Sequence, residues 1–240
     1  MTVAATLVRL TPGPVIRLRR RTLARRYLAG DGIEIGALHN PLELPDGARV
    51  RYVDRLPVEG LREHYPELEG EELVEVDVID DGEELATIAD ESVDFVVANH
   101  FLEHCEDPIK ALLSMFRVLR PGGVLYLAVP DKRYTFDRTR EVTPLEHLAD
   151  DHRDGPERSR RQHYEEWARH VDEVGDERVS AHADELLERG YSIHFHVWTD
   201  AEARQLLEAV RDEHGARHEL EEFVRNGHEN VFVLRKAPVG

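Results

Sequence analysis

The chain has 240 residues, 41% of them hydrophobic, which suffices for one domain of ordinary size with a smaller substructure added. Its single cysteine, Cys105, excludes an intrachain disulfide and any cysteine-built zinc or iron–sulfur centre, and suits a reducing cytoplasm. The formal charge of −18 opposes general binding to a phosphate backbone, and no apolar run has the roughly 20 residues of a membrane span or the form of a secretory signal.

Residues 1–30 carry seven arginines and no acid, leaving 24 basic and 49 acidic residues for the remainder. A helix over "RLRRRTLARRYL", residues 17–28, packed on its own acidic body is the expected role, with an anionic membrane or an organelle address as the alternative. The domain proper is expected over 31–240. Its strands should be Gly32–Gly36, Arg49–Val53, Leu73–Val78, Val93–Ala98 and Val124–Val129, with helices at "GLREHY" and at "PIKALLSMFRVLR", residues 108–120. Pro108 should start the latter helix and "PGG" at 121–123 should end it. Residues 131–190, dense in charge and histidine, predict a helical insert. A helix over Asp200–His214 and two β-rich runs around "RNGH" then close the sheet as an antiparallel hairpin. The alternation of strand and helix predicts an α/β fold with a mainly parallel sheet.

Such a sheet binds ligands beyond the carboxyl ends of its strands. The first strand ends in "EIGALHN", where Glu34 is acidic within the strand and Gly36 lets the backbone approach a ligand closely. Asp54 stands 18 positions after Gly36, where a carboxylate can accept from both hydroxyls of a ribose. Asp81 could accept from the exocyclic amine of a purine. Any one of these acids alone is more simply a solvated strand end; their occurrence at successive strand ends favours a nucleoside-bearing cofactor. A nicotinamide dehydrogenase would want G-x-G-x-x-G, which "GIEIGALHN" does not supply, and neither a P-loop nor G-x-S-x-G is present.

"DDGEELATIADESVDFVVANHFLEH" followed by "RVLRPGGVLYLAVPD" resembles, in order, the adenine loop and the fourth and fifth strands of class I S-adenosylmethionine-dependent methyltransferases of the small-molecule type. The likeness covers about residues 30–130, and implies a Rossmann-like sheet and S-adenosyl-L-methionine as cofactor. It implies that Glu34 organises the first loop and holds the methionine amino group, and that Gly36, with Ala37, permits close approach. Asp54 would bind the ribose and Asp81, with Gly82, the adenine amine, while Asn99 and His100 run beside the methionine. The family's loop has three alternating glycines. Here Leu38 and Asn40 occupy the later two places, so Asn40 is expected to keep the turn with a positive φ and Leu38 to point away from the ligand.

Methyl transfer to a hydroxyl calls for a general base, and the chain has 14 histidines. The candidates are His104 after the fourth strand, His147 near Asp150 and Asp151, and Asp131 directly after the fifth strand. Arg133, Tyr134, His194 and His196 are candidates for contacting the acceptor. His194 and His196 alternate, so in an extended segment both should point the same way. That pair also suits a metal, but spacing does not locate further ligands and no metal is assigned. Cys105 is expected to be buried, not nucleophilic. The expected activity is methyl transfer to a small polar metabolite, at oxygen. The alternatives are a non-catalytic S-adenosylmethionine-binding regulator and a nicotinamide-dependent oxidoreductase. No nucleic-acid partner is expected, and the oligomeric state is left open.

Overall fold

A strand as apolar on both faces as "VDFVVAN" belongs in the middle of a sheet, and β4, Val93–Asn99, takes that place. Its alternate residues face two separate cores. Phe95 and Val97 pack with Leu23, Ala24, Tyr126 and Val233, whereas Val96 and Ala98 pack with Ile109, Leu112, Phe116 and Trp198. The structure, a computed structural model, describes residues 13–238; residues 1–12 of the basic N-terminus lie outside the described residues.

Around β4 are arranged β1 (Asp31–Ile35), β2 (Arg49–Asp54), β3 (Val78–Ile79), β5 (Leu119–Pro130), β6 (His218–Asn226) and β7 (Glu229–Lys236). Among the described residues these form one sheet in the order β3-β2-β1-β4-β5-β7-β6. β1 to β5 pair in parallel and β7 is antiparallel to both β5 and β6. This Rossmann-like sheet differs from the 3-2-1-4-5-6 order of dinucleotide-binding folds by the antiparallel strand set against β5.

One layer is α1 (Pro14–Tyr27), whose Leu23 and Ala24 are buried. The other holds α3 (Pro108–Val118) and α7 (Asp200–Asp212), while α2 (Val58–His64) follows β2. Asp107 accepts from the Lys110 N–H and Pro108 fills the first position of α3, so the helix starts where its sequence puts the cap. α7 is closed by a capping box of Thr199 and Glu202.

Two elements depart from expectation. α3 stops at Val118, and the chain is already extended through "PGG", with Leu119 beside Val93 and a register shift before Phe95 meets Val124. The third strand shrinks to two residues. Asp77 Oδ2 accepts from the Tyr52 N–H at 2.8 Å, so a side chain takes a ladder partner that a longer strand would have supplied by backbone.

Between β5 and α7 lie two 3₁₀ turns, Lys132–Tyr134 and Phe136–Thr139, then α4 (Leu145–Asp154), α5 (Glu157–His170) and α6 (Asp176–Glu188). This region has its own core of Tyr164, Trp167, Ala183, Leu186, Tyr191, Ile193 and Phe195. No helix among the described residues is long and apolar enough to cross a membrane.

Candidate active site

A cavity of about 370 Å³ opens at the carboxyl ends of the parallel strands and is roofed by the helical region. That volume is in the range of small-molecule sites. Its floor is Gly36 and Leu38 after β1, Asp54 at the end of β2 with Arg55 following, Asp81, Gly82 and Glu83 after β3, and His100, Phe101 and His104 after β4. Its roof includes Phe136, Tyr164, Trp167, Tyr191, Ser192, His194 and Phe195.

The floor is shaped by its glycines. Gly36 turns the chain out of β1 at φ +63°. A Cβ on Gly82 would lie 2.5 Å from the Phe101 ring and 2.7 Å from Ile35, so only glycine lets this loop lie against β1. Glu34 lies behind the floor, not in it. Both its oxygens are 3.0 Å from the Leu42 N–H, which ties down the loop after β1, and burial, partly offset by that bond, raises its carboxyl to about 7. Within that loop the positive φ falls on Leu38, at +50°, and not on Asn40; Leu38 also lines the cavity, contrary to expectation. The reason is packing: Leu38 rests on the cluster of Leu61, Leu68 and Leu73, and its carbonyl accepts from Val74 at 2.9 Å.

The acids after the strands divide their work. Asp54 faces the cavity with its pKa raised by burial, although the Arg55 N–H donates to its Oδ1 at 2.8 Å. Asp80 is buried and accepts from Thr87 and the N–H groups of Asp81 and Ala86, so it holds the loop, while Asp81 is exposed at the cavity rim. Glu83, in the cavity wall, is pushed up to about 7 by burial, against hydrogen bonds from Glu106 and Asp107.

Across the cavity stand His104 and His194, with ring centroids 4.7 Å apart. His104 Nδ1 donates to the Ile193 carbonyl at 2.9 Å, and burial beside His194 lowers its pKa to about 4, leaving a neutral ring. His194 Nδ1 lies 2.7 Å from Asp137 Oδ2, and its Nε2 lies 4.0 Å from Glu103 Oε1. Burial would raise the pKa of Asp137, but His194 and Arg140 outweigh it and hold the carboxylate ionised. Arg140, wholly buried, donates to Asp137 at 3.0 Å and to the carbonyls of His194 and Phe195. An acceptor-type carboxylate on one ring nitrogen fixes the tautomer and leaves the other nitrogen basic. Trp167, also in this wall, has an indole N–H without a protein partner.

Several candidates named from sequence lie away from the cavity lining. Asp131 donates its N–H to the His228 carbonyl and accepts from Arg133 and Asn230, which turns it towards β7. Arg133 is held by Asp131 and Asp200, and Tyr134 is 64% exposed. Ala37 and Asn99 are also outside the lining, Asn99 donating to Glu34 at 3.4 Å. His147 contacts His163 and Asp151 away from the cavity lining. His194 and His196 do not share surroundings: His194 meets Asp137, while His196 meets the Glu106 carbonyl at 3.2 Å. Asp137 and Arg140 were not singled out from sequence. The motif "YTFDRTR" names them only once the fold brings them to a histidine 57 residues away.

Residues 32–127 match the family model described as a methyltransferase domain. No curated protein matches the chain significantly. Among solved structures, a protein from Rhodobacter sphaeroides provisionally named as a Zn-dependent alcohol dehydrogenase is similar, with TM-score 0.58, 17% identity, and coverage of 96% of this chain and 92% of that one. A Methanococcus maripaludis protein provisionally named as an S-adenosyl-L-methionine-dependent methyltransferase has TM-score 0.51 and 16% identity, covering 95% of this chain and 87% of that one. At these identities the likeness is one of fold.

Proposed function

We propose that the chain is a class I S-adenosylmethionine-dependent methyltransferase that methylates a hydroxyl of a small polar acceptor, with His194 as the general base. One observation carries this reading: a single cavity sets the strand-end acids opposite a buried Asp137–His194 pair.

The residues on the floor suit the cofactor. The turn at Gly36 and the glycine-only approach at Gly82 leave backbone open to a ligand, and the half-buried Asp54 carboxylate offers an acceptor for ribose hydroxyls. Asp81 stands at the rim for the adenine amine, and His100 lies towards the methionine end. Glu34 acts through the loop that it pins. When bound, S-adenosylmethionine supplies an electrophilic methyl group on sulfonium.

The chain's own part is positioning and proton transfer. Phe136, Tyr164, Trp167 and Phe195 enclose the acceptor and keep water away from it. The Trp167 N–H can orient a polar group of the acceptor. His194 Nε2 takes the hydroxyl proton as the oxygen is alkylated, and Asp137 together with nearby Glu103 stabilises the imidazolium formed. The small, aromatic-walled space and the acidic body favour a metabolite over a nucleic acid. The lone, buried Cys105 suits a reducing compartment, and we place the chain in the cytoplasm.

Calorimetry tests the cofactor half. S-adenosylhomocysteine should bind the wild type, and Asp54→Ala should weaken it by about 1.5–3 kcal/mol, the loss typical of hydrogen bonds to a charged group. Binding of NADH in preference to S-adenosylhomocysteine, or full affinity in a folded Asp54→Ala variant, would reject the assignment.

A further inference from the structure

Away from the cavity lining, three segments bring together side chains that the proposed methyl-transfer site does not use. His147 and Asp151 stand one turn apart on α4, His163 is on α5, and His196 is in the extended run before α7. One ring nitrogen of each histidine lies within 4.8 Å of the other two. His147 Nε2 is 3.0 Å from His163 Nε2 and 3.1 Å from Asp151 Oδ2.

Protons alone do not satisfy this arrangement. His147 Nε2 carries at most one hydrogen and faces two groups that can accept one. If His163 takes it, Asp151 Oδ2 is left buried without a hydrogen-bond partner, and His163 Nδ1 and His196 Nδ1 are buried without one in either case. The groups behind the cluster aim donors into it. Ser159 Oγ donates to Asp151 Oδ1 at 2.7 Å, leaving Oδ2 to the cluster, and His196 Nε2 is 3.2 Å from the Glu106 carbonyl, which puts its hydrogen there and a lone pair on Nδ1. Such outer contacts are what orient metal ligands.

We propose that His147, His163 and His196 bind a divalent cation of zinc type in a structural site, with Asp151 positioned beside His147. Bonds of about 2.0–2.1 Å to a tetrahedral ion place ligand atoms roughly 3.3 Å apart, so the 3.0 Å between His147 and His163 needs a shift of only tenths of an ångström, and the third nitrogen, within 4.8 Å, must close on them. The ion would fasten α4 and α5 to the segment whose neighbouring residues, His194 and Phe195, line the cavity. The two other histidine clusters are worse hosts. In Glu103–His104–His194, one nitrogen of each ring is committed to Ile193 or Asp137 and both rings serve the cavity; in His100–His228–Glu229, the carboxylate is already shared with Arg20.

The full chain, loaded with zinc and desalted, should hold one zinc per chain by mass spectrometry, and chelation should lower its melting temperature by several degrees. Cobalt(II) in its place should give the strong visible absorption of tetrahedral coordination. His147 is part exposed and its loss leaves the fold's core intact, so His147→Ala should fold, lose the cobalt spectrum and bind zinc at least about 100-fold more weakly in competition with a chromophoric chelator. Asp151→Asn, which keeps the shape, should weaken zinc by tenfold or more. Wild-type protein without stoichiometric zinc after loading, or either folded variant with wild-type affinity, overturns the proposal.

Discussion

In the proposed reaction His194 acts as the base, with Asp137 accepting its Nδ1 hydrogen, and Asp137 can stay ionised in a buried site because Arg140 and His194 both face it. Each residue therefore needs the other two. His194→Gln preserves a hydrogen-bonding side chain but cannot take a proton near neutrality, so turnover should fall by about 10²–10⁴-fold. Affinity for S-adenosylhomocysteine should stay within twofold, because the two ligands meet different walls. Single-turnover rates with a competent acceptor, beside calorimetry, check both halves; an undiminished rate removes His194 from the chemistry. His147 is no substitute base, since it lies outside the cavity lining. Its nearness to Asp151 was legible as an i,i+4 spacing on a helix, but which way that helix face turns is set by what packs on it.

At the scale of elements, α1 is fastened to the start of β7 by a buried ion pair. Arg20 Nε donates to Glu229 Oε1 at 2.9 Å, and its second nitrogen reaches Oε2. Glu229 also accepts from Asn226 at 2.7 Å and contacts His100 at 2.9 Å, so β4, the hairpin turn and α1 meet on one carboxylate. Removing one partner of a buried pair leaves the other uncompensated. Arg20→Ala should therefore cost about 3–5 kcal/mol in urea unfolding, whereas Arg25→Ala, with its weak and exposed contact at 3.9 Å, should cost under about 1 kcal/mol. Equal effects of the two would mean that α1 is held by general charge attraction. The arginine-rich stretch is visible in the sequence, but the arginine that is buried is not, because its partner is 209 residues away.

Across the whole molecule, His100 joins these parts and makes stability depend on pH. Burial alone would lower its pKa, but hydrogen bonds and charge interactions with Glu103 and Glu229 raise it to about 9. The other titratable or charged neighbours are Arg20 across Glu229, His104 and His194 across Glu103, and the His228 ring, with its centroid 5.8 Å from that of His100. The folded state thus holds this proton more tightly than the unfolded chain. The stabilisation is whole below a pH of about 6.5 and is lost as the pH rises through about 9, on the order of 3 kcal/mol in all. Glu34 and Glu83, raised to about 7, act in the same direction at lower pH, so the His100 contribution is isolated by comparison with a variant. Between pH 6.5 and 9 the wild type should lose urea stability while His100→Gln stays nearly flat; parallel curves would show that His100 is not the group responsible. By itself the sequence determined the sheet-forming strands other than the third, the glycine at the first turn and the acids at the ends of β2 and β3, because apolar period, backbone freedom and strand-end position are local properties. The tertiary structure alone decided which histidines face the cavity, which carboxylate meets His194 and which three histidines could hold an ion. Those groups come from segments tens of residues apart, and only the packing of the helical roof on the sheet sets the distances between them.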